Sequence, residues 1–115
     1  MIKVNNVELN DLDIYDFEIA EKYDKGLKKV YEESRKLEGK SVPEIIKIQC
    51  TAIFNFINEL FGEGTDKKIF GNKVNLVTCL EALDELISQI RNQKERIEEI
   101  SNKYSPNRAA RRKKK

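Results

Sequence analysis

Six of the eight residues from Arg108 to Lys115 are cationic: Arg108, Arg111, Arg112, Lys113, Lys114 and Lys115, with only Ala109 and Ala110 between them. Like charges at that density repel one another and resist burial, so this segment is expected to be solvated and free to meet an anion. The chemistry open to it is neutralisation of phosphates or of an acidic protein surface rather than bond breaking. The rest of the chain holds 16 Lys+Arg against 20 Asp+Glu, a net −4, so a mildly acidic body is joined to a tail of +6.

Other chemistry is poorly provided for. The chain has no histidine, and so lacks the commonest metal ligand and the commonest general base near neutral pH. Cys50 and Cys79 sit inside apolar helical patterns, far from a CxxC spacing, and read as buried thiols of a reducing compartment. The Asp and Glu residues are spaced as surface charges among Lys and Arg, with no apolar run that would isolate an acid/base pair. Phe70-Gly71-Asn72-Lys73 lacks the preceding strand and the Lys-Ser/Thr pair of a phosphate loop, and its glycine is accounted for by helix capping. Tyr15, Tyr23, Tyr31 and Tyr104 read as amphipathic boundary residues. The expectation is therefore no enzyme, no cofactor and no metal.

The elements that carry these residues follow from patterning. At 115 residues, 39% hydrophobic and 37% charged, the composition suits a single domain of long amphipathic helices with solvated outer faces. No run approaches the roughly 18 apolar residues of a membrane span, and Met1-Ile2-Lys3-Val4-Asn5 lacks the apolar core of a signal peptide. A cytoplasmic protein with no membrane contact is expected.

Ile2 and Val4 alternate with polar neighbours, Asn5-Asn6 supplies a turn, and Val7 and Leu9 resume the alternation, which reads as a β-hairpin over about residues 1–10. Its edge either meets another protein or simply closes one end of the core. A first helix starts at Asp13 or Asp16 and runs to about Leu37, with Ala20, Tyr23, Leu27, Val30, Ser34 and Leu37 on its inner stripe and Gly26 positioned for a close crossing. Ser41, Pro43 and Glu44 form the capping box of a second helix that is apolar on nearly all sides from Ile45 to Phe61. That helix is the spine of the domain, and its surplus apolar surface, including Phe54 and Phe61, is either core alone or core plus an interface for self-association. Thr65 caps a short helical turn through Ile69-Phe70. A third long helix opens near Asn75 and ends near Tyr104, before Ser105-Pro106. Leu76, Leu83, Ile90, Ile97 and Tyr104 recur every seven residues, with Leu80 and Ile87 on the alternate seam until Lys94 interrupts it.

The last turns of this helix are expected to outrun the core. Ile90, Ile97, Ile100 and Tyr104 then form a narrow stripe that meets a second helix from another copy or a partner, or else the first helix folds back to cover it. The fold class is mainly α: three long helices, a short helical turn between the second and third, an N-terminal hairpin, a domain spanning about 1–104 and a disordered basic tail over 105–115.

Phe54-Asn55-Phe56-Ile57-Asn58-Glu59-Leu60-Phe61-Gly62-Glu63-Gly64-Thr65, then Ile69-Phe70-Gly71-Asn72-Lys73-Val74-Asn75-Leu76 with Cys79-Leu80-Glu81-Ala82-Leu83, and finally Lys103-Tyr104-Ser105-Pro106-Asn107-Arg108-Ala109-Ala110-Arg111-Arg112, following a β-prone start, together resemble small tail-assembly proteins of siphophages and prophages of Gram-positive bacteria. The resemblance covers most of the chain and carries no catalytic signature. It implies a chaperone, active in the host cytoplasm, that binds the tape-measure protein or another tail protein before the tail tube polymerises. A different class, a nucleic-acid-binding accessory protein acting through the basic tail, is the alternative; the net acidic body and the lack of aromatic residues interleaved with basic ones argue against it.

Overall fold

A computed structural model describes residues 2–103, in the order β1 (Ile2–Val4), β2 (Val7–Leu9), α1 (Phe17–Arg35), α2 (Val42–Phe61), α3 (Thr65–Phe70) and α4 (Leu76–Lys103). This is the mainly helical class with an N-terminal hairpin that the patterning predicts. Tyr104 and the cationic residues Arg108, Arg111, Arg112, Lys113, Lys114 and Lys115 lie outside the described residues.

The hairpin turns through Asn5 and Asn6, both left-handed at φ 50° and 64°, a conformation asparagine tolerates and one whose twist matches paired strands. Pairing of Ile2 with Leu9 and Val4 with Val7 puts Ile2, Val4 and Leu9 into the core. Two strands of three residues do not stand alone, and here α4 supports them. The Gln89 side-chain amide accepts from Lys3 N–H at 2.9 Å and donates to Lys3 C=O at 2.8 Å, replacing the next strand on the β1 edge. Asn5 Nδ2 donates to the Ile69 carbonyl at 2.9 Å, tying the turn to α3. Of the two roles open to the hairpin, β1 therefore performs the closing one.

Asp16 caps α1, accepting from Glu18 N–H at 3.1 Å, and the helix ends at Arg35, two residues before the expected Leu37. Its inner side is Tyr23, Gly26 and Val30; Ser34, assigned to the stripe by spacing, is exposed. Gly26 is where α1 crosses α2: a Cβ there would stand 2.8 Å from Phe56 Cε1, closer than packed atoms allow. The Phe56 ring fills the space and meets Tyr23 with centroids 5.8 Å apart.

α2 begins with the expected capping box, Ser41 Oγ accepting from Glu44 N–H at 3.4 Å. The Ser41 hydrogen bonds hold the Glu44 carboxyl below its ordinary pKa. Cys50, Ile53, Phe56, Ile57 and Leu60 are buried, so α2 is the central helix. Thr65 does not cap α3 as predicted. Gly64, left-handed at φ 90°, holds the cap position, while Thr65 is the first helical residue and donates its hydroxyl to the Gly62 carbonyl at 2.7 Å. Asn58 of α2 supplies the missing acceptor, taking Asp66 N–H at 3.0 Å. Spacing along the chain does not show this cap because it comes from another helix.

Asn75 opens α4 by accepting from Thr78 N–H at 3.0 Å. The buried side of α4 is Cys79, Ala82, Leu83, Leu86 and Ile90. The core thus leans to the Cys79–Leu86 side of the heptad, and Leu80, placed on the alternate seam by its spacing, is 45% exposed. After Ile90 no residue of α4 is buried.

Candidate functional site

The 28 residues of α4 span about 42 Å, and its first fifteen lie over the core formed by α2 and the hairpin. The remaining thirteen, Arg91 to Lys103, carry the surface of interest. Ile97 and Ile100 are 40% and 46% exposed on successive turns. They continue the apolar side of the helix past the point where the core ends.

The segment before α1 and the first turns of α1 reach part of this extension. Ile14 is buried, the Tyr15 hydroxyl donates to the Gln93 carbonyl, and the Lys94 ammonium lies 5.4 Å from the Tyr23 ring centroid. Burial pushes the Tyr23 phenol above its ordinary pKa, which leaves a neutral ring under a cation. Lys94, an interruption of the seam by spacing, is in fact the lid of this ring. Beside it lies a groove of about 430 Å³ whose walls include Ile14, Ala20, Tyr23 and Ile97. Of the two expected arrangements, the fold-back of the first helix is present in part. The α1 end folds back as far as Ile97, and Ile100 extends beyond it.

Of the residues assigned to partner binding, Ile97 and Ile100 stand where a partner can reach them. Ile90 does not: it is completely buried, a core residue rather than the docking residue its spacing suggests. The heptad spacing runs unbroken through both halves of α4 and marks no boundary between them, so Ile90 was indistinguishable from its exposed neighbours in the sequence. Phe54 and Phe61 are half-buried against the core, and the Phe54 ring packs on Phe70 with centroids 5.2 Å apart. They are not close neighbours of the α4 stripe in sequence or helix. Phe17, which periodicity did not single out, is 76% exposed at the start of α1.

A second apolar groove, about 370 Å³, lies between α1 and α2, with Phe56 and Ala52 on its floor and Lys29, Glu33, Lys47 and Glu59 among its borders. The thiols face inward. Cys50 and Cys79 are free and fully buried, and burial, then the hydrogen bond to Cys50, pushes the Cys79 thiol up to about 12. A thiol so held is a packing group rather than a nucleophile. Among the described residues no helix is long and apolar enough to cross a membrane, and no group of three or more Cys, Asp or Glu could hold a metal ion.

Fold and surface together define a small helical protein with a projecting, partly apolar helix end. By its sequence the chain belongs to a family of unknown function, DUF6673, whose model matches residues 5–115. No curated protein and no solved structure matches it.

Proposed function

We propose that this protein is a non-enzymatic phage tail-assembly chaperone that binds the tape-measure protein by helix-on-helix contact during tail morphogenesis in the host cytoplasm. The observation that carries the reading is the exposure of Ile97 and Ile100 on a helix that continues beyond its own core. A projecting helix held by spaced isoleucines gains stability when another helix covers it, and a long helical client that aggregates on its own needs such cover. The charged remainder of the surface keeps the complex in solution.

Capture of the tape-measure protein by the intact chain, compared with the Ile97→Ser/Ile100→Ser variant, tests this. Loss of capture in a variant that retains its helix content is the expected result. Equal capture by both removes the α4 extension from the mechanism.

The second reading, a nucleic-acid-binding accessory protein, is favoured by one feature: the cationic run Arg108 to Lys115 in the sequence. It requires duplex or single-strand binding that falls steeply between low and physiological salt and disappears when that run is removed.

A further inference from the structure

The charges beside the α4 stripe select among its conceivable partners. With Ile97 and Ile100 at the inner a and d positions of a heptad, the flanking e and g positions are Lys94, Arg96, Ser101 and Lys103. Glu95, Glu98 and Glu99 fall at the outer f, b and c positions, away from any helix laid on the stripe. The extension therefore presents a narrow apolar seam between two cationic edges. Arg96 and Lys103 are exposed, and among the described residues neither is ion-paired. Lys94 lies over the ring of Tyr23, and among the described residues it has no ion pair. Asp24, the carboxylate bordering the adjacent groove, is paired with Lys28 at 3.5 Å on its own helix.

Such edges disfavour a second copy of the same surface. In an antiparallel pair, g positions face g, so Arg96 and Lys103 would meet their own kind; in a parallel pair each g faces the e position of the following heptad, which sets Arg96 opposite the neutral Ser101. The antiparallel arrangement therefore sets cation against cation along the g edge, and the parallel one offers no carboxylate to Arg96; like charges at these positions are a recognised means of excluding a partner. The same edges match a helix whose own flanking positions are Asp or Glu. The chain that follows Lys103 adds six more cations and no anion over Arg108 to Lys115, in keeping with an anionic partner at this end.

We propose that the surface formed by Lys94, Arg96, Ile97, Ile100 and Lys103 docks an amphipathic helix with acidic flanks, supplied by a different protein. This rests on the reading of the α4 extension as a helix-docking surface, and it defines the client segment: an apolar stripe at i, i+3 or i+4 spacing bordered by carboxylates.

The test uses the full chain and two synthetic helical peptides that share one apolar seam, one with Glu and one with Lys at every flanking position. Binding is followed by fluorescence anisotropy at physiological salt. The wild-type chain is expected to prefer the Glu peptide by at least about tenfold, and Lys94→Glu/Arg96→Glu/Lys103→Glu to reverse the preference. Light scattering should show no association of the wild-type chain through this face, and new concentration-dependent mixed complexes when wild type and triple variant are combined.

Equal binding of both peptides, or of the Glu peptide by wild type and triple variant alike, would overturn the proposal; the second result would assign the attraction to the terminal cations alone. Tight binding of random duplex DNA that the triple substitution abolishes, with no peptide bound, would assign these side chains to phosphates instead. The outcome is separable from that of the chaperone reading. A reversed peptide preference without capture of the tape-measure protein leaves the acidic-helix surface standing and removes the chaperone role, whereas capture that survives triple reversal does the opposite.

Discussion

The two halves of α4 share one heptad pattern and have opposite environments. From Leu76 to Ile90 the helix buries Cys79, Ala82, Leu83, Leu86 and Ile90 against α2 and the hairpin, and the Gln89 side chain completes the β1 edge. From Arg91 to Lys103 nothing is buried, although Ile97 and Ile100 repeat the spacing of the first half. The first half is covered because α2 and β1 lie beside it. Among the described residues the second half has the Ile14–Tyr23 region beside it, which shares a groove with Lys94 and Ile97. The difference shows that apolar spacing specifies a side to be covered, while the length of neighbouring elements decides whether the chain covers it alone.

The comparison is broken most forcefully by cutting into the covered half. Phe56→Ala, which empties the α1–α2 crossing, should cost about 3–5 kcal/mol in urea unfolding, a large share of a small domain's stability. Gly26→Ala attacks the same crossing from the other helix. Alanine is favoured over glycine within helices by about 1 kcal/mol, yet the new methyl has no room beside the Phe56 ring, so a net loss of about 1–3 kcal/mol is expected. A gain in thermal stability would mean that the helices do not approach as closely at Gly26. In the uncovered half, Ile97→Ser/Ile100→Ser should change stability by less than about 1 kcal/mol while circular dichroism stays helical.

Smaller effects probe the caps and the thiols. Ser41→Ala should cost about 1 kcal/mol. Because Ser41 depresses the Glu44 pKa in the folded state, the capping contribution is present above the unfolded carboxyl pKa and is lost as pH falls through the folded one; the Ser41→Ala difference should shrink in acid. Cys79 has the opposite sign. Its thiol, raised to about 12 by burial and then by Cys50, stays protonated in the fold while an unfolded thiol ionises near ~8.5, so its contribution is whole below that pH and declines as pH rises toward 12. At pH 8 neither cysteine should react with iodoacetamide until denaturant unfolds the chain.

Much of the fold was legible because its signals are local. The Asn5-Asn6 turn, the Ser41-Pro43-Glu44 helix start and the Asn75 opening of α4 each depend on residues a few positions apart, and each stands where the spacing places it. The α3 cap was not, since Asn58 reaches Asp66 from a different helix. Nor was the limit of the core along α4, which depends on where α2 and the hairpin lie. That one non-local fact transferred Ile90 from the surface to the interior and left Ile97 and Ile100 outside. Lys94 was legible only as a break in the apolar seam; its place over Tyr23 depends on the fold-back of α1.

Hydrogen exchange of the full-length protein, alone and with the tape-measure protein that the proposed function names as its client, tests the central claim most directly. Amides of Arg91 to Lys103 should exchange early in the free protein, ahead of those from Cys79 to Ile90, and should become protected in the complex with little change in the core. A complex that leaves residues 91–103 as fast as before, or early protection of that segment in the free monomer, would contradict the assignment of the α4 extension as the docking surface.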